Sequence, residues 1–179
     1  MRIVGGKLAG RDLVSPNDFR VRPTAELVRA AALDAITDDV TGARVLDLFA
    51  GTGALGLEAL SRGAKNCDFV EFRPASLHAL RANIVALRVK DRARVFKKDA
   101  VRFAAALGAA SYDVAFADPP YESRQLDRVL ASWLASGFSA VLVLEHAKRH
   151  ALPAVGRRIV LGDTAVTIFR RAARGAADR

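Results

Sequence analysis

The chain predicts an α/β fold built on a doubly wound, mostly parallel sheet, and three observations carry that expectation. Apolar runs of strand length alternate with helix-length stretches from residue 43 to residue 145, the pattern of repeated β-α-β units. A glycine turn, Gly51-Thr52-Gly53-Ala54-Leu55-Gly56, joins one apolar run to a helix, and the next run ends in an acid, Glu71, twenty residues after Gly51. Two late runs, 156–161 and 164–170, face each other across Gly162-Asp163 and predict a closing antiparallel hairpin.

The elements follow in order. Residues 2–5 and 11–14 predict a small β-hairpin turned by Gly5-Gly6 and Gly10. Pro23-Thr24 opens a helix from Ala25 to Ile36, because proline loses nothing in a first turn whose N–H groups have no helical partner. Strands and helices then alternate: 43–49 with helix 54–62, 67–72 with helix 75–88, 93–98 with helix 100–107, 113–117 with helix 124–135, and strand 139–145. Leu77, Leu80, Ile84 and Leu87 recur at helical spacing and form a core-facing stripe. Residues 172–179 read as a frayed tail. The expected organisation is a basic N-terminal hairpin extension over 1–24, one domain over 25–171 and that tail, with no repeat and no linker long enough to split the 179 residues.

Composition narrows the setting. The single cysteine, Cys67, excludes an intramolecular disulfide, and its place in an apolar run makes it a buried structural thiol. His78, His146 and His150 lack metal-ligand spacing with Cys67, so no metal is expected. There is no run of about 18 apolar residues for a membrane span and no signal peptide pattern, so a cytoplasmic location is expected, and separately a monomer. Of the formal charge of +9, residues 30–147 contribute nothing, with fourteen basic and fourteen acidic side chains. Residues 1–29 carry six basic against three acidic, and residues 148–179 eight against two. A neutral centre with basic ends is the electrostatic footprint of a nucleic-acid partner.

Asp118-Pro119-Pro120-Tyr121 follows the apolar run Val114–Ala117 and carries the chemistry. An exocyclic base amine is a poor nucleophile, because its lone pair is delocalised into the ring. The Asp118 carboxylate and the Pro119 carbonyl can accept its two N–H bonds and favour a more tetrahedral nitrogen, while Tyr121 stacks on the ring. Upstream, the glycine turn leaves N–H groups free at a helix N-terminus and Glu71 is spaced to grip ribose hydroxyls, which predicts a nucleoside-like cofactor. The same glycines satisfy the fingerprint of a nicotinamide oxidoreductase. Asp47 weighs against that reading, since an acid just before the turn suits a cationic amino acid moiety better than a pyrophosphate. S-adenosyl-L-methionine, whose sulfonium methyl is the electrophile the amine requires, fits both halves.

These motifs together resemble a known family. Met1-Arg2-Ile3-Val4-Gly5-Gly6-Lys7 with Gly10-Arg11, Arg22-Pro23-Thr24, Leu46 to Gly63 and Asp118 to Tyr121 resemble, in this order, the class I methyltransferases that modify guanine N2 in bacterial small-subunit ribosomal RNA. The resemblance covers nearly the whole chain and implies a Rossmann-like methyltransferase sheet. It implies Asp47, Gly51 and Gly53 around the methionine part of the cofactor, Glu71 on the ribose, and Asp99 with Ala100 at the adenine. Asp118, Pro119 and Tyr121 would hold the target guanine, with Arg2, Lys7, Arg11, Arg22, Thr24 and Pro120 on the RNA side. Guanine rests on the resemblance, since the Asp-Pro-Pro-Tyr chemistry serves adenine N6 in a DNA methyltransferase equally, and a non-catalytic RNA-binding scaffold is the remaining alternative. In one departure, the family usually continues after Arg-Pro-Thr with an Arg-Glu pair and an aromatic residue. Here Arg29 is followed by Ala30-Ala31-Ala32-Leu33, without that acidic partner.

Overall fold

The computed structural model describes residues 1–16, 23–120 and 124–171, with the backbone alone for 23–25. Among these residues seven strands join in one sheet: β1 (Arg44–Leu48), β2 (Asn66–Glu71), β3 (Ala93–Lys97), β4 (Tyr112–Ala117), β5 (Ser139–Ala147), β6 (Arg157–Leu161) and β7 (Thr164–Arg170). Their order is β3-β2-β1-β4-β5-β7-β6. The first five run parallel, and β7 is antiparallel to both β5 and β6. The closing hairpin is therefore present, but its second strand inserts beside β5 and leaves β6 at the edge.

Strand alternation divides the core into two layers. Val45, Phe69, Val114, Phe116, Val141 and Val143 point to one face, where α1 (Pro23–Asp34), α3 (Ala54–Ser61) and α4 (Pro74–Ala86) bury Val28, Leu33, Leu57, Leu80 and Ile84 against them. Leu46, Leu48, Ala115, Ala117, Leu142 and Leu144 point to the other, under α5 (Ala100–Ala105) and α6 (Gln125–Ser136). Leu77, Leu80, Ile84 and Leu87 are all buried, as their spacing predicts, and truncating fully buried Leu80 to alanine would cost about 2–5 kcal/mol. Cys67 is buried in the first layer. No helix among the described residues is long and apolar enough to cross a membrane.

Two features differ from the sequence expectation. A short helix, α2 (Thr37–Val40), follows α1, which stops at Asp34. The N-terminal hairpin is reduced to one bridge, Arg2–Asp12, closed by a 3-10 turn over Gly6–Leu8. Its ladder stops there because the Val4 and Gly5 N–H groups donate to the Glu58 carboxylate of α3, 2.9 and 2.7 Å away, instead of to a second strand. Ile3 and Leu13 turn inward and are buried in the first core layer.

The sheet order decides where a ligand can bind. From β1 the chain winds outward through β2 to β3, then returns to the other side of β1 as β4. Connections leave β1 and β4 in opposite directions, opening a crevice beyond their carboxyl ends.

Candidate active site

Four acids reach this crevice by the same alternation that builds the first core layer. Asp47 pairs in register with Phe69 on β2 and Phe116 on β4, and Phe116 pairs with Val143 on β5. Two residues further along each strand direction stand Glu71, Asp118 and Glu145, with Phe49 in the corresponding place after β1. Apolar side chains thus fill the layer up to the strand ends, and carboxylates take over where it opens.

Two adjoining chambers occupy the crevice, and Phe49 and Arg73 wall both. One, about 400 Å³ including open solvent, is apolar on Val70, Phe72, Ala100 and Pro120, with Glu71 and Lys98 at its polar margin. The other, about 660 Å³ including open solvent, holds Asp47, Asp118 and Glu145 opposite Arg29, with Gly51 and Thr52 of the glycine turn. An apolar slot and a chamber rich in carboxylates thus adjoin, with Phe49 and Arg73 common to both walls. Phe49 has φ of 60°, a left-handed conformation rare for a bulky side chain, at the residue that separates the two spaces.

Each carboxylate has a distinct environment. Asp47 is 2% exposed and its Oδ2 accepts the Gly56 N–H at 2.9 Å. Burial pushes its carboxyl up to about 7, the Gly56 N–H opposes this, and the negative charges of Asp118 and Glu71 add to it. Asp118 stands at the open mouth, yet the atoms crowded around it push its carboxyl up to about 6 against the pull of the Arg73 guanidinium. Burial alone would also raise Glu71. The Arg73 N–H, the Arg73 guanidinium and the Gly51 N–H outweigh that and hold its carboxyl below the usual range. Its Oε2 accepts from Gly51 at 2.9 Å and its Oε1 from the Phe72 and Arg73 N–H groups at 2.8 Å, so one buried side chain joins the glycine turn to the end of β2.

The other candidates divide between lining and support. Gly51 lines the acidic chamber, and Gly53 caps α3 with φ of 82°, a conformation that costs glycine little. Ala100 lines the apolar chamber, whereas Asp99 is the N-cap of α5, its Oδ1 accepting the Arg102 N–H at 2.8 Å. Pro120 lines the apolar chamber; Pro119 is buried beside it. Tyr121 and Arg22 lie outside the described residues, as do the side chain of Thr24 and the tail 172–179. Arg2, Lys7 and Arg11 are all exposed, with Arg2 Nε 3.8 Å from Glu26 Oε2 and Arg11 Nη2 donating to the Ala86 carbonyl at 3.1 Å. His146 bonds Thr167 and His150 bonds Asp127, and no group of His, Cys, Asp and Glu among the described residues could hold a metal ion.

Two buried polar side chains, Arg29 and Asn83, build the N-terminal wall of the crevice. Arg29 does have an acidic partner, supplied from α3 and not from its own helix: Nε donates to Glu58 Oε2 at 3.1 Å, and both side chains are buried. Arg29 also donates to the Arg2 carbonyl and lines the acidic chamber with Met1. Asn83, wholly buried, accepts the Val14 N–H at 2.7 Å and donates to the Val14 and Thr52 carbonyls, both at 3.0 Å. The first fourteen residues are thereby tied to the glycine turn. Sequence reasoning missed Phe49, Phe72, Arg73 and Glu145 as site residues. Of these, Glu145 had a legible signal, since it continues the alternation of Val141 and Val143.

Comparison with known proteins agrees with this architecture. A family model described as Conserved hypothetical protein 95 matches residues 1–165. The ribosomal RNA small subunit methyltransferase D of Escherichia coli K12 is 33% identical over 189 residues, covering 99% of this chain and 93% of its own. A solved hypothetical protein of Thermus thermophilus superposes with a TM-score of 0.81 at 33% identity, over 96% of this chain and 99% of that one. The T. thermophilus 16S rRNA N2 methyltransferase RsmC, solved with AdoMet and guanosine, shares the fold at a TM-score of 0.67 and 20% identity, over 96% of this chain and 49% of that one. With a full-length match of this kind and a crevice at the switch point of a class I methyltransferase sheet, the chain belongs to the Conserved hypothetical protein 95 family, that of the ribosomal RNA small subunit methyltransferases D.

Proposed function

We propose that this protein transfers a methyl group from S-adenosyl-L-methionine to the exocyclic N2 of a guanine in small-subunit ribosomal RNA, acting as a cytoplasmic monomer on the RNA or the small ribosomal subunit. The observation that carries the reading is the pair of adjoining chambers, an apolar slot beside Glu71 and a carboxylate chamber that holds Asp47 and Asp118. The names of the Escherichia coli relative and of RsmC support the substrate class.

The donor set fits the cofactor. Phe72, Val70 and Ala100 offer apolar faces to an adenine ring, and the Glu71 carboxylate has lone pairs beyond those already bonded with which to accept ribose hydroxyls. Asp47 is suited to a cationic amino group, whose charge would favour the ionised carboxylate that burial opposes. The same acids would repel a pyrophosphate, which disfavours the nicotinamide reading. S-adenosylmethionine supplies an electrophilic methyl on a sulfonium. Asp118 and the Pro119 carbonyl accept the two N–H bonds of the target amine and turn its lone pair outward. With its carboxyl at about 6, Asp118 is ionised at neutral pH and can take the proton that the nitrogen sheds. Most of the acceleration then comes from holding the amine in line, worth up to about 7–11 kcal/mol when positioning is ideal.

The test incubates the protein with methyl-labelled S-adenosylmethionine and, separately, with small subunits and naked small-subunit RNA, followed by nucleoside digestion. Label in N2-methylguanosine is expected. Label in N6-methyladenosine, or none on either RNA form, refutes the proposal.

A further inference from the structure

One carboxylate of the acidic chamber has no task in the chemistry above. Glu145 stands two residues beyond Val143, on the strand beside the one that delivers Asp118 two residues beyond Phe116, and Val143 and Phe116 are register partners. The two acids therefore project from neighbouring strands toward the same side, and both line the chamber together with Arg29. Glu145 is half-buried, so a ligand that covers it in the chamber takes it further out of water, where hydrogen-bond matching is felt more strongly.

An ionised carboxylate only accepts hydrogen bonds, and a guanidinium only donates them. The pairing edge of guanine presents a carbonyl oxygen, then N1–H, then the amine: an acceptor followed by adjacent donors. The edge of adenine presents an amine beside a bare N1 lone pair. Where Asp118 holds the amine, the next acceptor along the chamber meets N1–H in guanine, but would face a lone pair in adenine and lose a bond while burying a repulsion. Arg29, in the same chamber, gives Nε to Glu58 and an Nη2 hydrogen to the Arg2 carbonyl, and as a five-donor guanidinium it retains donor capacity of the kind the guanine carbonyl requires. We infer that Glu145 selects guanine over adenine in the target chamber by accepting the N1–H while Asp118 holds the amine. This rests on the reading of the chamber as the target site.

The experiment uses the whole protein and an RNA substrate whose modified position has been mapped. In one version the target guanine is replaced by 2-aminopurine, which keeps the exocyclic amine but has a bare N1. The parent should prefer guanine by at least about tenfold in kcat/KM, the discrimination of a site built to bond a missing group. Glu145→Gln should lose at least about tenfold on guanine and narrow or invert the preference, because its amide can donate to the bare N1, with unchanged affinity for S-adenosylhomocysteine. Should that variant fail to fold, Glu145→Asp draws the carboxylate back by one methylene and should lower guanine efficiency while keeping the direction of preference. Either variant matching the parent in efficiency and preference overturns the inference. If the parent product is then still N2-methylguanosine, the proposed function stands without it; if it is another nucleoside, both fall.

Discussion

The ionisation of Asp47 should govern cofactor affinity. Asp47 is 2% exposed, and burial, with the charges of two nearby acids, pushes its carboxyl up to about 7 against the opposing Gly56 N–H. A cationic amino group would bind the ionised form, so binding below that value must expel a proton. The ionised fraction is about 0.1 at pH 6 and about 0.6 at pH 7.2, which makes the affinity about sixfold higher at the upper pH, while an α-amino group of ordinary pKa near 7.7–8.0 stays mostly charged. Calorimetry with S-adenosylhomocysteine, which retains the amino acid and nucleoside, reads this directly. In two buffers of different ionisation enthalpy at pH 6, it should show close to one proton released per ligand bound. Asp47→Asn keeps an oxygen for Gly56 but should abolish both the proton release and the rise with pH. For stability the sign is opposite to that of a salt-bridged acid. The folded value lies above the unfolded value of 3.8, so the native state holds an extra proton between pH 4 and 7. Stability should fall across that window and level off above it, by about 4 kcal/mol in all, a loss that Asp47→Asn should escape. Equal affinity at pH 6 and 7.2 with no proton released would refute this account of Asp47.

Three further outcomes are expected. Asp118→Ala should abolish most methyl transfer while leaving S-adenosylhomocysteine affinity within a few-fold of the parent; a comparable loss of both would make Asp118 a cofactor residue. Replacing Arg2, Lys7 and Arg11 together by alanine should flatten the salt dependence of RNA binding by roughly one log–log unit per lost phosphate contact, and an unchanged slope would move the RNA surface to Arg157, Arg158, Arg170 and Arg171. Asn83→Ala strands the Val14 N–H and the Thr52 carbonyl, and should lower stability in chemical denaturation by about 1–3 kcal/mol for each group left without a partner. It should also weaken S-adenosylhomocysteine binding by loosening the glycine turn. Unaltered ligand affinity in a destabilised variant would mean that the tie between the N-terminal segment and the turn serves folding alone.

Local pattern determined much of this protein. Apolar runs broken by glycine and proline specify the five parallel strands and the C-terminal hairpin, because period and turn chemistry act over a few residues. The acids Asp47, Glu71 and Asp118 were legible because each ends an apolar run beside a recognisable turn. Glu145 ends a run too, but no motif flags it, and only the pairing of β4 with β5 brings it beside Asp118. Tertiary structure alone decided the strand order, since nothing local says that β4 returns to the far side of β1 or that β7 inserts between β5 and β6. It also decided the partner of Arg29. Glu58 lies 29 residues away on another helix and holds the Val4 and Gly5 backbone as well. An ion pair of that kind follows from which helices share a face of the sheet, a property of the packed chain that no window of the sequence contains.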